Sequence, residues 1–280
     1  MSDTTTKPDS TVPAEAPAGA DAPVTARPRR LRRSVFVLPS LLTVTNIFCG
    51  YYAIVSTMDG RYRAAAVAIA IAIVLDSLDG FVARLTNTAS EFGLQLDSLA
   101  DVISFGVAPS ILAMVWVLRD VDTRLACAAA FTFTICGAMR LARFNIQSGG
   151  HKYFVGLPIP AAGGTIAAIV FFFDTPRLDV VVSHPFFAES MFAVTFVLAF
   201  LMVSTLRYDS LKGVTLGKKS HLAVLVIALM FVLIFFLPRP TLLTLAVVYT
   251  LSGPAQKLLA LLRRKKPGEG AEDAVPAENP

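Results

Sequence analysis

The chain has 280 residues, 55% of them apolar and 16% charged. Soluble domains carry about 25% charged residues, and the apolar residues here gather in runs of about 18 or more, enough to cross roughly 30 Å of hydrocarbon, so a soluble globular domain is excluded. The net charge of +5 comes without an aromatic-interleaved basic patch, so it argues against nucleic acid and for membrane orientation and anionic lipid.

In chain order, residues 1–26 are rich in Ala, Pro, Thr and Asp and read as a disordered tail. The basic cluster RPRRLRR at 27–33 stands directly before the first apolar stretch. That stretch is too long for a signal peptide, contains Pro39 and Asn46, and has no small-residue cleavage site after it. Eight spans are expected, at about 35–57, 62–84, 93–118, 122–144, 156–174, 187–206, 221–237 and 240–262. Residues 267–280 form a second polar tail. The expected fold class is all-α, a polytopic membrane helix bundle. With the amino terminus placed in the cytoplasm, nineteen of the 25 Lys and Arg residues fall on the cytoplasmic side. That asymmetry supports eight spans with both termini inside. Cys49, Cys127 and Cys136 lie in apolar stretches without a CxxC pattern and read as inert buried thiols.

The second span ends with Asp76 and Asp79, followed by Gly80, Ala83 and Arg84. After a short polar turn the third span opens with Gly93, Asp97 and Asp101. A carboxylate at the bilayer centre costs about 2.5–3.5 kcal/mol on insertion scales, and even nearer the interface four need a reason to be there. Asp76 and Asp79 are i, i+3 and Asp97 and Asp101 are i, i+4, so each pair shares one helix face. The short turn makes the helices antiparallel neighbours, and the two pairs can converge. Four carboxylates repel unless a cation offsets them. An all-oxygen set favours Mg²⁺, Mn²⁺ or Ca²⁺ over zinc. Gly80 and Gly93 let backbones or a ligand approach closely. Arg84 projects at the cytoplasmic end, where a phosphate could meet it.

The full spacing is D-x2-D-G-x2-A-R-x8-G-x3-D-x3-D, from Asp76 to Asp101. At every fixed position it resembles the signature of the CDP-alcohol phosphotransferase superfamily. The resemblance implies a six-helix catalytic core, often dimeric, over residues 34–206, with two additional transmembrane helices in 207–266. It implies two divalent cations, Mg²⁺ or Mn²⁺, held by Asp76, Asp79, Asp97 and Asp101, with Asp101 also the catalytic base. It assigns Asp79, Gly80, Ala83, Arg84 and Gly93 to the CDP nucleotide and its phosphates. A homodimer in the bacterial inner membrane, with the active site on the cytoplasmic side, is expected.

Other segments bear on the acceptor alcohol. These are Pro39 to Gly50, Asp101 to Pro109, Arg140 to Asn145 and Phe154 to Ala162. Over about residues 35–165 they look like bacterial membrane-embedded phosphatidylserine synthases, which implies CDP-diacylglycerol as donor and L-serine as acceptor. Ser40 departs from the Asn that many relatives carry after the proline. Arg140 and Arg143, i, i+3 at a helix end, can grip a carboxylate or a phosphate; the positive-inside rule alone would also place them there. Ser104 lies on the Asp101 face and could touch the acceptor or simply pack. Asn46 could orient a phosphate ligand or a metal-bound carboxylate, or serve helix packing. Pro109 is expected to kink the third span, and Gly156-Leu157-Pro158-Ile159-Pro160 to make an irregular entry to the fifth.

Another acceptor, such as glycerol 3-phosphate, an inositol phosphate or choline, would use the same chemistry. A prenyltransferase would want Asn where Gly93 stands. A cation transporter would want repeat symmetry and a midplane site, and the sequence has neither.

Overall fold

A computed structural model describes residues 30–86, 91–118, 122–147, 154–208, 228–230 and 232–264. The first 29 residues, the first part of the expected seventh span (221–227) and the tail from 265 lie outside the described residues.

Helix α1 (Arg30–Met58) runs through Pro39 without ending and turns into α2 (Tyr62–Thr86). The reversal is made by Gly60 at φ 73°. The Arg61 amide bonds the Ser56 carbonyl at 2.8 Å and the Gly60 amide bonds Thr57 at 3.1 Å, which satisfies the last carbonyls of α1 in a Schellman cap. A side chain at Gly60 would strain that left-handed backbone. Next come α3 (Glu91–Asp101), a π-helical segment (Val102–Val107) and α4 (Ala108–Trp116), which together make one crossing. The irregularity thus sits just ahead of Pro109. The Ala108 amide bonds back to Ile103, five residues away, and Pro109 has no amide to give to Phe105. Extra turns of this kind inside helices are frequent at functional sites.

Helix α5 (Thr123–Gln147) returns, and a two-residue strand β1 (Phe154–Val155) follows. Helix α6 (Ile159–Phe173) starts after Gly156 at φ 84° and Pro158, so the expected irregular entry is present. The short α7 (Asp179–Val182) leads to α8 (Pro185–Val203), then to strand β2 (Arg207–Tyr208) and helix α9 (Pro238–Arg264). The strands pair antiparallel, Phe154 with Tyr208 and Val155 with Arg207, and tie the start of α6 to the end of α8.

Six helical stretches among the described residues are long and apolar enough to cross a membrane. The chain is a multi-pass membrane helix bundle. The expected count of eight is not reached among the described residues. The fifth span proves to be a 15-residue helix, about 22 Å at 1.5 Å per residue, because Gly156 and Pro158 delay its start. Cys127 is exposed, and Cys49 and Cys136 are only half-buried, so the cysteines are not the buried thiols expected.

Small residues set the spacing of the bundle. Helix α2 packs on α1 and α6 with Ala65, Ala68 and Ala72 buried, as expected where backbones rather than bulky side chains meet. Phe105, Leu112, Phe133, Leu157, Ile166 and Leu198 fill the centre. At one end Asp174, beyond α6, accepts a hydrogen bond from the Arg63 backbone and faces the Arg63 and Arg239 charges. Burial, the largest influence, pushes its carboxyl above the usual range, and the two guanidinium groups partly offset that. The start of α2, the end of α6 and the start of α9 therefore share one end of the bundle.

Gly163 is a tight joint beside the π segment, since a Cβ there would lie 2.7 Å from the Phe105 carbonyl oxygen. Replacing it, as in Gly163→Leu, is expected to destabilise the protein by about 1–3 kcal/mol. Thermal unfolding in detergent would show this as a lower midpoint.

Candidate active site

The carboxy-terminal halves of α2 and α3 bring their acidic residues together. Carboxylate oxygens of Asp76, Asp97 and Asp101 lie within 4.8 Å of one another. Asp76 and Asp101 are in side-chain hydrogen-bond contact. Asp101 is buried, and its Oδ1 has no protein partner. Asp79 stands slightly apart, within electrostatic range of Asp76 and Asp97. Its carboxylate accepts a hydrogen bond from the Thr43 hydroxyl of α1, and both residues are buried. The two expected pairs therefore converge, three carboxylates at one point and the fourth held beside them. The donor set is entirely carboxylate oxygen, with one buried Asp101 oxygen left without a partner. That fits a hard divalent cation.

Helix α1 backs the cluster. Thr43 and Asn46, at i, i+3, share one face of it. Asn46 is 1% exposed, and neither polar atom of its side-chain amide has a partner. Its backbone carbonyl accepts a hydrogen bond from Ser104 Oγ at 2.9 Å. Ser104 is fully buried and presses on Gly50, where a Cβ would sit 2.8 Å from the Ser104 Cα. Ser104 thus locks α1 to the π segment.

Among the residues expected at the nucleotide, Gly80 is exposed on α2 and Gly93 half-buried on α3. The side chains of Ala83 and Arg84 lie outside the described residues, though both backbones are helical.

Helix α5 supplies the positive charge. Arg140 is buried at 8% exposure and within electrostatic range of Asp101. Its guanidinium carbon is 5.9 Å from the centre of the Phe144 ring, and its Nε has no partner. Arg143 is exposed and donates to the Val203 carbonyl of α8 at 3.3 Å. A pocket of about 220 Å³ lies between them, lined by Met139, Arg140, Ala142, Arg143 and Val203. Asn145 donates to Ser98 Oγ at 3.0 Å and fastens the end of α5 to α3 beside Asp97.

Sequence reasoning missed Thr43 and Asn145. Thr43 carried a signal, being one turn from Asn46 on the same face. Asn145 carried none, because its partner Ser98 is 47 residues away.

The profile of the CDP-alcohol phosphatidyltransferase family matches residues 36–201. The chain is 39% identical over 202 residues to the CDP-diacylglycerol–serine O-phosphatidyltransferase of Helicobacter pylori, covering 71% of this chain and 83% of that protein. It is 34% identical over 175 residues to the Bacillus subtilis protein of the same name, 62% of this chain and 91% of the relative. It is 39% identical over 184 residues to the archaetidylserine synthase of Methanothermobacter thermautotrophicus, 64% of this chain and 72% of the relative. The chain belongs to the CDP-alcohol phosphatidyltransferase family.

The hydrogen bond from Thr43 aims the Asp79 carboxylate. Residues behind metal ligands typically contribute 10–100-fold in affinity, so Thr43→Val is expected to weaken Mn²⁺ binding about tenfold. Titration of the purified protein with Mn²⁺, followed by electron paramagnetic resonance, reads this directly. An unchanged affinity would separate Asp79 from cation binding.

Proposed function

We propose that this chain transfers the phosphatidyl group of CDP-diacylglycerol to L-serine, giving phosphatidylserine and CMP. The observation that carries the reading is the convergence of Asp76, Asp97 and Asp101, with an unpartnered Asp101 oxygen, within electrostatic range of the buried Arg140. The family membership supports the donor chemistry, and the names of the relatives support serine.

In this reading Asp76, Asp79, Asp97 and Asp101 hold two divalent cations, Mg²⁺ or Mn²⁺. When bound, these offset the charge of the donor diphosphate and of the departing CMP. Asn46, Gly80, Ala83, Arg84 and Gly93 line the nucleotide and phosphate side. Arg140 and Arg143 take the serine carboxylate, since a guanidinium fork matches it bidentately. Ser104 stays a positioning residue, because its hydroxyl is already given to Asn46. Asp101 accepts the proton of the serine hydroxyl. The serine oxygen forms a bond to the phosphorus that carries diacylglycerol. The bond from that phosphorus to the CMP oxygen breaks, and its electron pair leaves with CMP. Much of the rate comes from holding the reacting groups together. The protein works as a homodimer in the bacterial inner membrane, with its termini and the carboxylates on the cytoplasmic side.

The test follows CMP release by purified protein given CDP-diacylglycerol, Mn²⁺ or Mg²⁺, and one acceptor at a time. Serine is expected to release CMP, and glycerol 3-phosphate, inositol phosphate and choline are not. Another acceptor working in place of serine would overturn the acceptor and keep the family chemistry. Asp101→Asn is expected to lower kcat by about 10²–10⁴-fold, the usual weight of a general base. Chelation with EDTA should abolish turnover and added Mn²⁺ restore it. Full activity in EDTA would remove the cations from the reaction.

A further inference from the structure

Helix α5 packs on α8, α4 and the π segment. Its last turns line the pocket with Arg140 and Arg143, and they are held from two sides. On one side Arg143 donates to the Val203 carbonyl of α8 at 3.3 Å. On the other the Asn145 amide donates to Ser98 Oγ of α3 at 3.0 Å. Ser98 is set up to receive it. Its own hydroxyl proton goes to the Leu94 carbonyl one turn back, at 3.0 Å, which leaves the oxygen a lone pair for Asn145. Both residues are half-buried.

The two ends of this bond sit beside the two halves of the site. Ser98 follows Asp97 directly, and carboxylate oxygens of Asp97, Asp76 and Asp101 lie within 4.8 Å of one another. Asn145 stands between one and two turns beyond Arg140 on the same helix. Arg140 is buried, and its Nε has no protein partner. The bond therefore joins the turn that carries the guanidinium groups to the turn that carries a cluster carboxylate, across 47 positions of sequence. A misplacement of about 1 Å between reacting groups costs much of the rate, so the spacing of these two turns matters to the reaction.

We propose that Asn145 is a positioning residue, whose hydrogen bond to Ser98 holds the Arg140 and Arg143 turn of α5 in register with the Asp97 turn of α3 and so sets the acceptor carboxylate against the cation cluster. This rests on the reading of the acceptor as serine held by the two arginines. It goes beyond that reading by giving a role to two residues that touch neither substrate.

The experiment compares wild type, Asn145→Ala, Ser98→Ala, the double variant and Ser98→Thr as purified full-length proteins. CMP release is followed with CDP-diacylglycerol, Mn²⁺ and L-serine, and Mn²⁺ affinity is read on the metal-free proteins by electron paramagnetic resonance. Each alanine variant is expected to raise the KM for serine about three- to tenfold, the usual worth of one hydrogen bond. The KM for CDP-diacylglycerol and the Mn²⁺ affinity should stay within twofold of wild type. The double variant should match the worse single variant, because both remove the same bond. Ser98→Thr keeps the hydroxyl and should keep the wild-type KM. A KM does not depend on the fraction of folded protein, so a loss of stability alone leaves it unmoved. Additive effects in the double variant, or a Ser98→Thr as impaired as Ser98→Ala, would overturn the proposal. So would weaker Mn²⁺ binding with an unchanged KM for serine, which would assign the bond to Asp97 alone. If wild type uses serine and both single variants match it, the proposal falls and the serine reading stands. If wild type does not use serine, that reading fails and the proposal falls with it.

Discussion

Carboxylates packed within 4.8 Å of one another inside an apolar bundle are the constraint to which the surrounding structure answers. Their mutual repulsion and their loss of hydration both oppose folding. The protein meets this cost locally. Thr43 donates to Asp79, Asp76 and Asp101 share a hydrogen bond, and Arg140 brings a buried positive charge within range of Asp101. What stays unsatisfied is Asp101 Oδ1, the Asn46 amide and Arg140 Nε. These three belong to the elements that meet at the cluster; a fourth among the described residues, Ser56 Oγ, lies near the other end of α1. Stability left unspent at one place in this way is typical of a site shaped for ligands.

The backbone of that region is adapted to the same end. Glycines at 50 and 163 let α1 and α6 close on the π segment from two sides. The π segment carries Ser104 and Phe105 into those gaps, and Pro109 leaves the Phe105 carbonyl without its helical partner. A regular α-helix through 102–107 would rotate Ser104 relative to Asp101 and part the bond that joins it to Asn46. Rigidity at the joints keeps the four aspartates from relaxing away from one another.

The carboxy-terminal part extends this frame. Strands β1 and β2, the Gly156 turn and the Thr165–Thr250 contact tie α6, α8 and α9 into one side of the bundle. Near one end Asp174, Arg63 and Arg239 gather, so α9 is held at both ends of its contact with the core.

Much of this was legible in the chain itself. Membrane residence followed from the length of the apolar runs, and the acidic cluster from the i, i+3 and i, i+4 spacings on two consecutive helices. Both are local, set by helical periodicity and the width of a bilayer. The spacing of Asp76 to Asp101 was specific enough to point to the family, because all eight of its fixed residues lie on a single helical hairpin. Other features depended on partners distant in sequence. The shortening of the fifth span came from Gly156 packing against the end of α8. Ser104 was spent on Asn46, 58 residues away, Thr43 on Asp79, and Asn145 on Ser98. Tyr208 reaches the Thr250 carbonyl, 42 residues away. Sequence pattern carries what a residue does to its own helix. Which helices meet, at what rotation and with which buried groups left over, is decided by packing that only the folded bundle creates.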